Sequence, residues 1–194
     1  LREAGLCNSR PMKVLFVCTG NLCRSPMAEV LFRDELRRRD CGGIEVASSG
    51  TWGMDGSPAT PEAIEAVSAF GVDLTGHRAR SLDVVEAQGA DLLVGMTSVH
   101  VRELMQMAPE AGGKTVLLKQ LAETAVEEVP PGAGFDQRLA ALLAGSKPAL
   151  VRAHDLDDPM GFPLATYERT VNELREGLER LADLLCGVPG RGHD

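Results

Sequence analysis

Residues 13–26 read KVLFVCTGNLCRSP, and this stretch decides the fold. KVLFVC, residues 13–18, is an unbroken apolar run rich in β-branched and aromatic residues, the pattern of a strand buried on both faces. Ser25 and Pro26 then signal a helix start, with Ser at the N-cap, Pro at the first helical position and Glu29 in the first turn. The helix is expected to continue through Val30, Leu31 and Leu36 to about Arg39. Between strand and helix lie Thr19, Gly20, Asn21, Leu22, Cys23 and Arg24. A tight loop feeding a helix N-terminus turns backbone N–H groups inward, and the helix dipole adds to their field. Gly20 and Asn21 are residue types that tolerate the left-handed angles of such a curl. The loop therefore reads as a phosphate cradle, with Thr19, Gly20, Asn21, Leu22, Cys23 and Ser25 as candidate lining. Arg24 adds a forked, permanently charged group able to grip two oxygens. Cys18 is the candidate nucleophile, because helix N-termini and neighbouring cations favour a thiolate, and Ser25 can donate a hydrogen bond to it. A buried strand cysteine and a surface arginine would be the plainer reading of either residue alone. Strand, curl, cap and helix in succession argue against it.

Outward from this stretch, strand and helix signals alternate. IEVASS (44–49), DLLVGM (91–96) and TVLLK (115–119) read as three further strands. Thr60-Pro61-Glu62 opens a helix that ends near Gly71, another is expected from about Ser98 to Met107, and a last amphipathic helix from about Pro163 to Leu185. The alternation implies an α/β three-layer sandwich with a central four-stranded parallel sheet and helices on both faces. Ligands of such folds bind beyond the carboxyl ends of the strands, where Cys18 lies. The expected organisation is a tail over residues 1–11, a single domain over 12–188 and a short tail over 189–194. Residues 122–154, with VPPGAG and GSKP flanking the helical piece FDQRLAALLA, read as an insertion on the main fold.

Composition narrows the function classes. The chain has 194 residues, of which 44% are hydrophobic and 25% charged, with a net charge of −8. That balance disfavours nucleic acid as a partner, since a binder needs a basic face, but it allows a small anion held by local donors. The apolar runs fall short of a membrane span, and residues 1–11 lack a secretory core, so the expected compartment is the cytoplasm. Five cysteines at irregular spacing fit poorly with a secreted disulfide framework. No Cys/His spacing suits a metal, and there is no nucleotide or flavin signature, so no cofactor is expected. Nothing in the sequence sets an oligomeric state.

VLFVCTGNLCRSPMAEVLF, together with ASSGT, DLTGHRARSL, DLLVGM and DDPMG, resembles the low-molecular-weight protein tyrosine phosphatase family over most of residues 12–185. The resemblance implies a phosphorylated protein as substrate, a phosphocysteine intermediate on Cys18 and phosphate binding by Arg24. It assigns the general acid and base to Asp158, beside Pro159, although Asp155 and Asp157 stand close by. It places Ser48 and His77 behind the loop, bonding it through Asn21, and Trp52 and Met160 on the pocket walls, where Trp52 could equally pack on the core. Cys23 matches a family cysteine that pairs reversibly with Cys18 on oxidation; it could instead only pack behind the loop.

Bacterial relatives acting on phosphoarginine carry a small Thr where this chain has Leu22, and tyrosine phosphatases carry a bulky aliphatic residue. Leu22 thus points to phosphotyrosine, with phosphoarginine as the alternative. Met160-Gly161 stands where many tyrosine enzymes have aromatics, and compact family members lack the 122–154 insertion. An arsenate reductase on this scaffold would need further cysteines shortly after the third strand, and GMTSVHVREL (95–104) has none. A non-catalytic phosphate-binding module would be expected to have lost Cys18, Arg24 or Asp158.

Overall fold

A computed structural model describes residues 10–123, 129–130, 132–146 and 152–187. Most of both expected tails and part of the expected insertion lie outside these residues. Four strands, β1 (Met12–Cys18), β2 (Ile44–Gly50), β3 (Leu92–Gly95) and β4 (Thr115–Leu117), form one sheet in the order β2-β1-β3-β4, every pair parallel. Among the described residues six α-helices accompany them: α1 (Arg24–Arg38), α2 (Pro61–Ser68), α3 (Val84–Gly89), α4 (Ser98–Met107), α5 (Phe135–Gly145) and α6 (Leu164–Cys186).

Strand β1 shows why the sheet is central. Val14, Phe16 and Cys18 face one side, where α1, α2, α5 and α6 build the larger core through Phe32, Val67, Leu142 and Leu178. Leu15 and Val17 face the other side, where Leu82, Ala87 of α3 and Leu104 of α4 form a smaller core. The unbroken apolar run serves both faces because successive strand side chains alternate. The chain leaves β1 toward β2 and later returns past it to β3, so the winding direction reverses between β1 and β3. The carboxyl end of β1, occupied by Cys18, thus lies at the switch point where such sheets open a crevice.

Several elements differ from the sequence expectations. α1 starts at Arg24 with Cys23 as its N-cap, so Ser25 is already helical and Glu29 falls outside the first turn. The Ser25 hydroxyl is committed to the loop, as described below, and a hydroxyl cannot serve both duties. Thr60 does cap α2 as expected, accepting from the Ala63 N–H at 3.2 Å. α3 carries no strand or helix periodicity over its six residues, yet Asp83 caps it through the Glu86 N–H at 2.7 Å. Within the expected insertion, α5 packs on the larger core through Leu142. A disulfide joins Cys41, just past α1, to Cys186 at the end of α6. Nothing in their spacing suggested the pair, because 145 residues separate two cysteines that the packing of α1 on α6 brings together.

Candidate active site

After Cys18 the backbone makes its curl at Asn21, whose φ of 56° is left-handed. Each carbonyl of the curl is turned away from its centre. Those of Cys18, Thr19, Gly20 and Leu22 accept from the N–H groups of Thr51, Trp52, Met54 and Thr60, at 2.9, 3.0, 3.1 and 3.1 Å. The Asn21 carbonyl lies 2.8 Å from His77 Nε2, and that of Cys23 begins the helix by accepting from Met27. With the oxygens held outside, the N–H groups face the bowl. Gly50 permits this closeness: a Cβ there would stand 2.3 Å from the Thr19 oxygen and 3.0 Å from the Asn21 nitrogen.

The Asn21 side chain locks the curl from behind. Its Nδ2 donates to Ser25 Oγ and Ser48 Oγ, both at 2.9 Å, and its Oδ1 accepts from the Arg80 N–H at 3.0 Å. Ser25 Oγ lies 2.9 Å from Cys18 Sγ and 3.4 Å from the Ser49 carbonyl. Ser25 accepts from Asn21, and its single proton can go either to the Ser49 carbonyl or to the sulfur, so when Cys18 is a thiolate the hydroxyl can donate to it.

Arg24 follows the curl with its guanidinium buried. Nη2 donates to Asp158 Oδ2 at 2.8 Å and Nη1 to the Leu156 carbonyl at 3.2 Å. The Asp158 side chain is 53% exposed against 6% for that of Arg24, so one end of the pair reaches solvent. Cys18, Thr19, Gly20, Leu22, Cys23, Arg24, Trp52, Met54, Asp158 and Met160 line a single cavity of about 530 Å³. A cavity lined by a buried thiol, a buried arginine and a half-exposed carboxylate is suited to transfer of a phosphoryl group.

The family model described as "Low molecular weight phosphotyrosine protein phosphatase" matches residues 13–131. The chain belongs to that family. Over 117 residues it is 39% identical to the low molecular weight protein-tyrosine-phosphatase Etp of Escherichia coli K12, covering 60% of this chain and 74% of that one. Among solved structures, the low molecular weight protein tyrosine phosphatase of T. tengcongensis aligns with a TM-score of 0.69 at 33% identity, over 89% of this chain and 98% of that one. The YwlE arginine phosphatase of Geobacillus stearothermophilus aligns with a TM-score of 0.70 at 30% identity, over 95% and 99%. Near-equal likeness to both means that the fold alone does not choose between their substrates.

In this low molecular weight phosphatase, three neighbouring carboxylates that the sequence left competing occupy different places. Asp155 accepts from the Ser98 N–H at 2.5 Å and lies 3.2 Å from the Ser98 hydroxyl, so it is committed to the first residue of α4. Asp157 is exposed and absent from the cavity lining. Asp158 faces Arg24 and the cavity. Trp52 is 73% exposed and stands on the rim, which removes the core-packing alternative.

Cys18 and Cys23 are both free thiols, and Cys23 Sγ lies 3.6 Å from Thr60 Oγ1 and 3.7 Å from the Tyr167 hydroxyl. Burial pushes the Cys23 thiol above its ordinary pKa, against the pull of those two hydroxyls. Burial likewise pushes Tyr167 up to about 12. Tyr167 escaped the sequence reading because it sits on one face of an amphipathic helix, where a core role needs no further explanation. Met54 escaped because a lone exposed methionine carries no signal. His100, buried behind Thr19, escaped as one of four scattered histidines. The imidazole is held down to about 3, first by burial and then by the charge of Arg24, so it is neutral at physiological pH.

Proposed function

We propose that this phosphatase hydrolyses phosphotyrosine in cytoplasmic proteins, with Cys18 as nucleophile, Arg24 as phosphate ligand and Asp158 as general acid and then base. One observation carries the assignment of roles: buried Arg24 is hydrogen-bonded to Asp158 above a cavity whose floor is Cys18. An incoming phosphoryl group competes for the guanidinium donors that Asp158 and the Leu156 carbonyl now hold. The Cys18 thiolate attacks phosphorus, the bond to the phenolic oxygen breaks, and Asp158 gives that oxygen a proton. The carboxylate left behind takes a proton from water, whose oxygen attacks phosphorus and breaks the P–S bond. Inorganic phosphate leaves, and the thiolate is restored. The ring of N–H groups stabilises charge on the three equatorial oxygens throughout.

Phosphotyrosine is favoured over phosphoarginine by the wall. The Leu22 side chain lies against Gly20, as does Met54, and with Trp52 and Met160 they offer an apolar slot suited to a flat ring. A phosphorylated guanidinium would bring several N–H donors to this wall, and among the described residues Asp158 is the sole carboxylate in the lining. Wild type and Leu22→Thr assayed on matched phosphotyrosine and phosphoarginine peptides test the reading. Wild type is expected to prefer phosphotyrosine, and the substitution to shift kcat/KM toward phosphoarginine by about tenfold, the scale for a lost apolar contact. A wild-type preference for phosphoarginine overturns the substrate assignment.

A further inference from the structure

His100 sits in the first turn of α4, on the side facing the phosphate loop, and its two ring nitrogens are both engaged. Nδ1 lies 2.8 Å from Thr97 Oγ1 and Nε2 lies 2.9 Å from Thr19 Oγ1. Thr97 is itself fixed, because its hydroxyl is the N-cap of α4 and accepts the His100 N–H at 3.4 Å. Thr19 is the first residue after the nucleophile, it is solvent-exposed, and its peptide opens the ring of donors. The imidazole is therefore a rigid spacer between a helix cap and the phosphate loop. A neutral imidazole has one donor and one acceptor nitrogen, so either tautomer satisfies both hydroxyls.

The same turn of α4 holds the second catalytic segment. Ser98, next to Thr97, binds the Asp155 carboxylate through its N–H and hydroxyl. Leu156 then donates its N–H to the Met96 carbonyl at 3.0 Å and accepts from Arg24. Asp158 is two residues further on.

We propose that His100 is a positioning residue of the phosphatase, which pins Thr19 to the cap of α4 and so sets the phosphate loop against the segment that α4 anchors through Ser98 and Asp155. It touches no reacting atom. Its effect passes through Thr19 to the N–H groups of the bowl, and thus to the binding of the phosphoryl oxygens in the transition state. The proposal rests on the phosphatase reading of the site.

The test uses side-chain amides of different reach. In His100→Gln the terminal amide occupies roughly the place of Nε2 and can bond Thr19; in His100→Asn it occupies that of Nδ1 and can bond only Thr97. On an aryl phosphate, His100→Asn and Thr19→Val are each expected to lower kcat and weaken vanadate binding by about tenfold, the worth of one hydrogen bond. The double variant is expected to be no worse than either single one, and His100→Gln to stay within about threefold of wild type. Equal losses in His100→Asn and His100→Gln, or additive losses in the double variant, reduce His100 to core packing and overturn the proposal. Should the His100 variants not fold, Thr19→Val on the intact histidine decides: it is expected to lose about tenfold in kcat and in vanadate affinity, and turnover and vanadate affinity equal to wild type overturn the proposal. A wild type without turnover refutes the phosphatase reading instead, and vanadate affinity across the same series still tests His100.

Discussion

Replacing Asp158 by Asn separates catalysis from stability. The carboxylate meets Arg24 Nη2 at 2.8 Å, but its side chain is half exposed and the guanidinium keeps the Leu156 carbonyl. An ion pair open to solvent on one side contributes about 0.2–1 kcal/mol to stability, so the melting temperature should move by only a few degrees. The catalytic loss is larger. General acid and base catalysis is worth about 10²–10⁴-fold, and a hundredfold loss in kcat corresponds to about 2.7 kcal/mol of barrier. The loss depends on the leaving group, because 4-nitrophenolate departs without help and phenolate does not. Steady-state assays on 4-nitrophenyl phosphate and phenyl phosphate should therefore show a distinctly greater fall in kcat/KM, which reports the leaving-group step, for the second. Vanadate affinity should hold or rise, since Arg24 loses a competitor for its donors. The Asp157→Asn variant, whose carboxylate lies off the cavity, should behave as wild type. Equal losses on both substrates, or a loss under threefold on phenyl phosphate, would refute the placement of the acid at Asp158.

Three further outcomes are expected. Gly50→Ala drives a Cβ to 2.3 Å from the Thr19 oxygen; the backbone must shift, costing about 1–3 kcal/mol as overpacking does, and a calorimetric scan together with kcat should both fall. Opening the Cys41–Cys186 disulfide by serine substitution at both positions should lower stability by up to about 5 kcal/mol, the loop-closure entropy for a sequence separation of 145. Turnover should be unchanged, because the bridge ties the far ends of α1 and α6, roughly 20 Å along α1 from Arg24. Finally, His100 is neutral when folded, with its pKa lowered to about 3. The unfolded chain binds the proton first, so the stability this gives is complete above pH 6.5 and is lost as pH falls from there toward 3. His100→Gln should flatten that part of a melting-temperature profile against pH; an unchanged slope would count against a neutral buried imidazole.

The sequence by itself determined what is local. An apolar strand, a curl of Gly and Asn, and a helix rich in Leu are written in adjacent residues, so β1, the curl after it and the course of α1 were readable from the sequence. The alternation of strands and helices then fixed the layered parallel fold, because parallel strands require crossovers. Tertiary structure decided what depends on distant partners. Ser25 looked like a helix cap until Asn21 and Cys18 claimed its hydroxyl. Asp155, Asp157 and Asp158 are equivalent as letters, and what distinguishes them is distant: Ser98 holds Asp155, and Arg24, 134 residues away, holds Asp158. His100 acquires its place from Thr19, 81 residues earlier, and Cys41 its partner from 145 residues later. Hydrogen-bond geometry and burial are properties of packed surfaces, and a residue's own neighbours in the chain carry no record of what packing will bring against it.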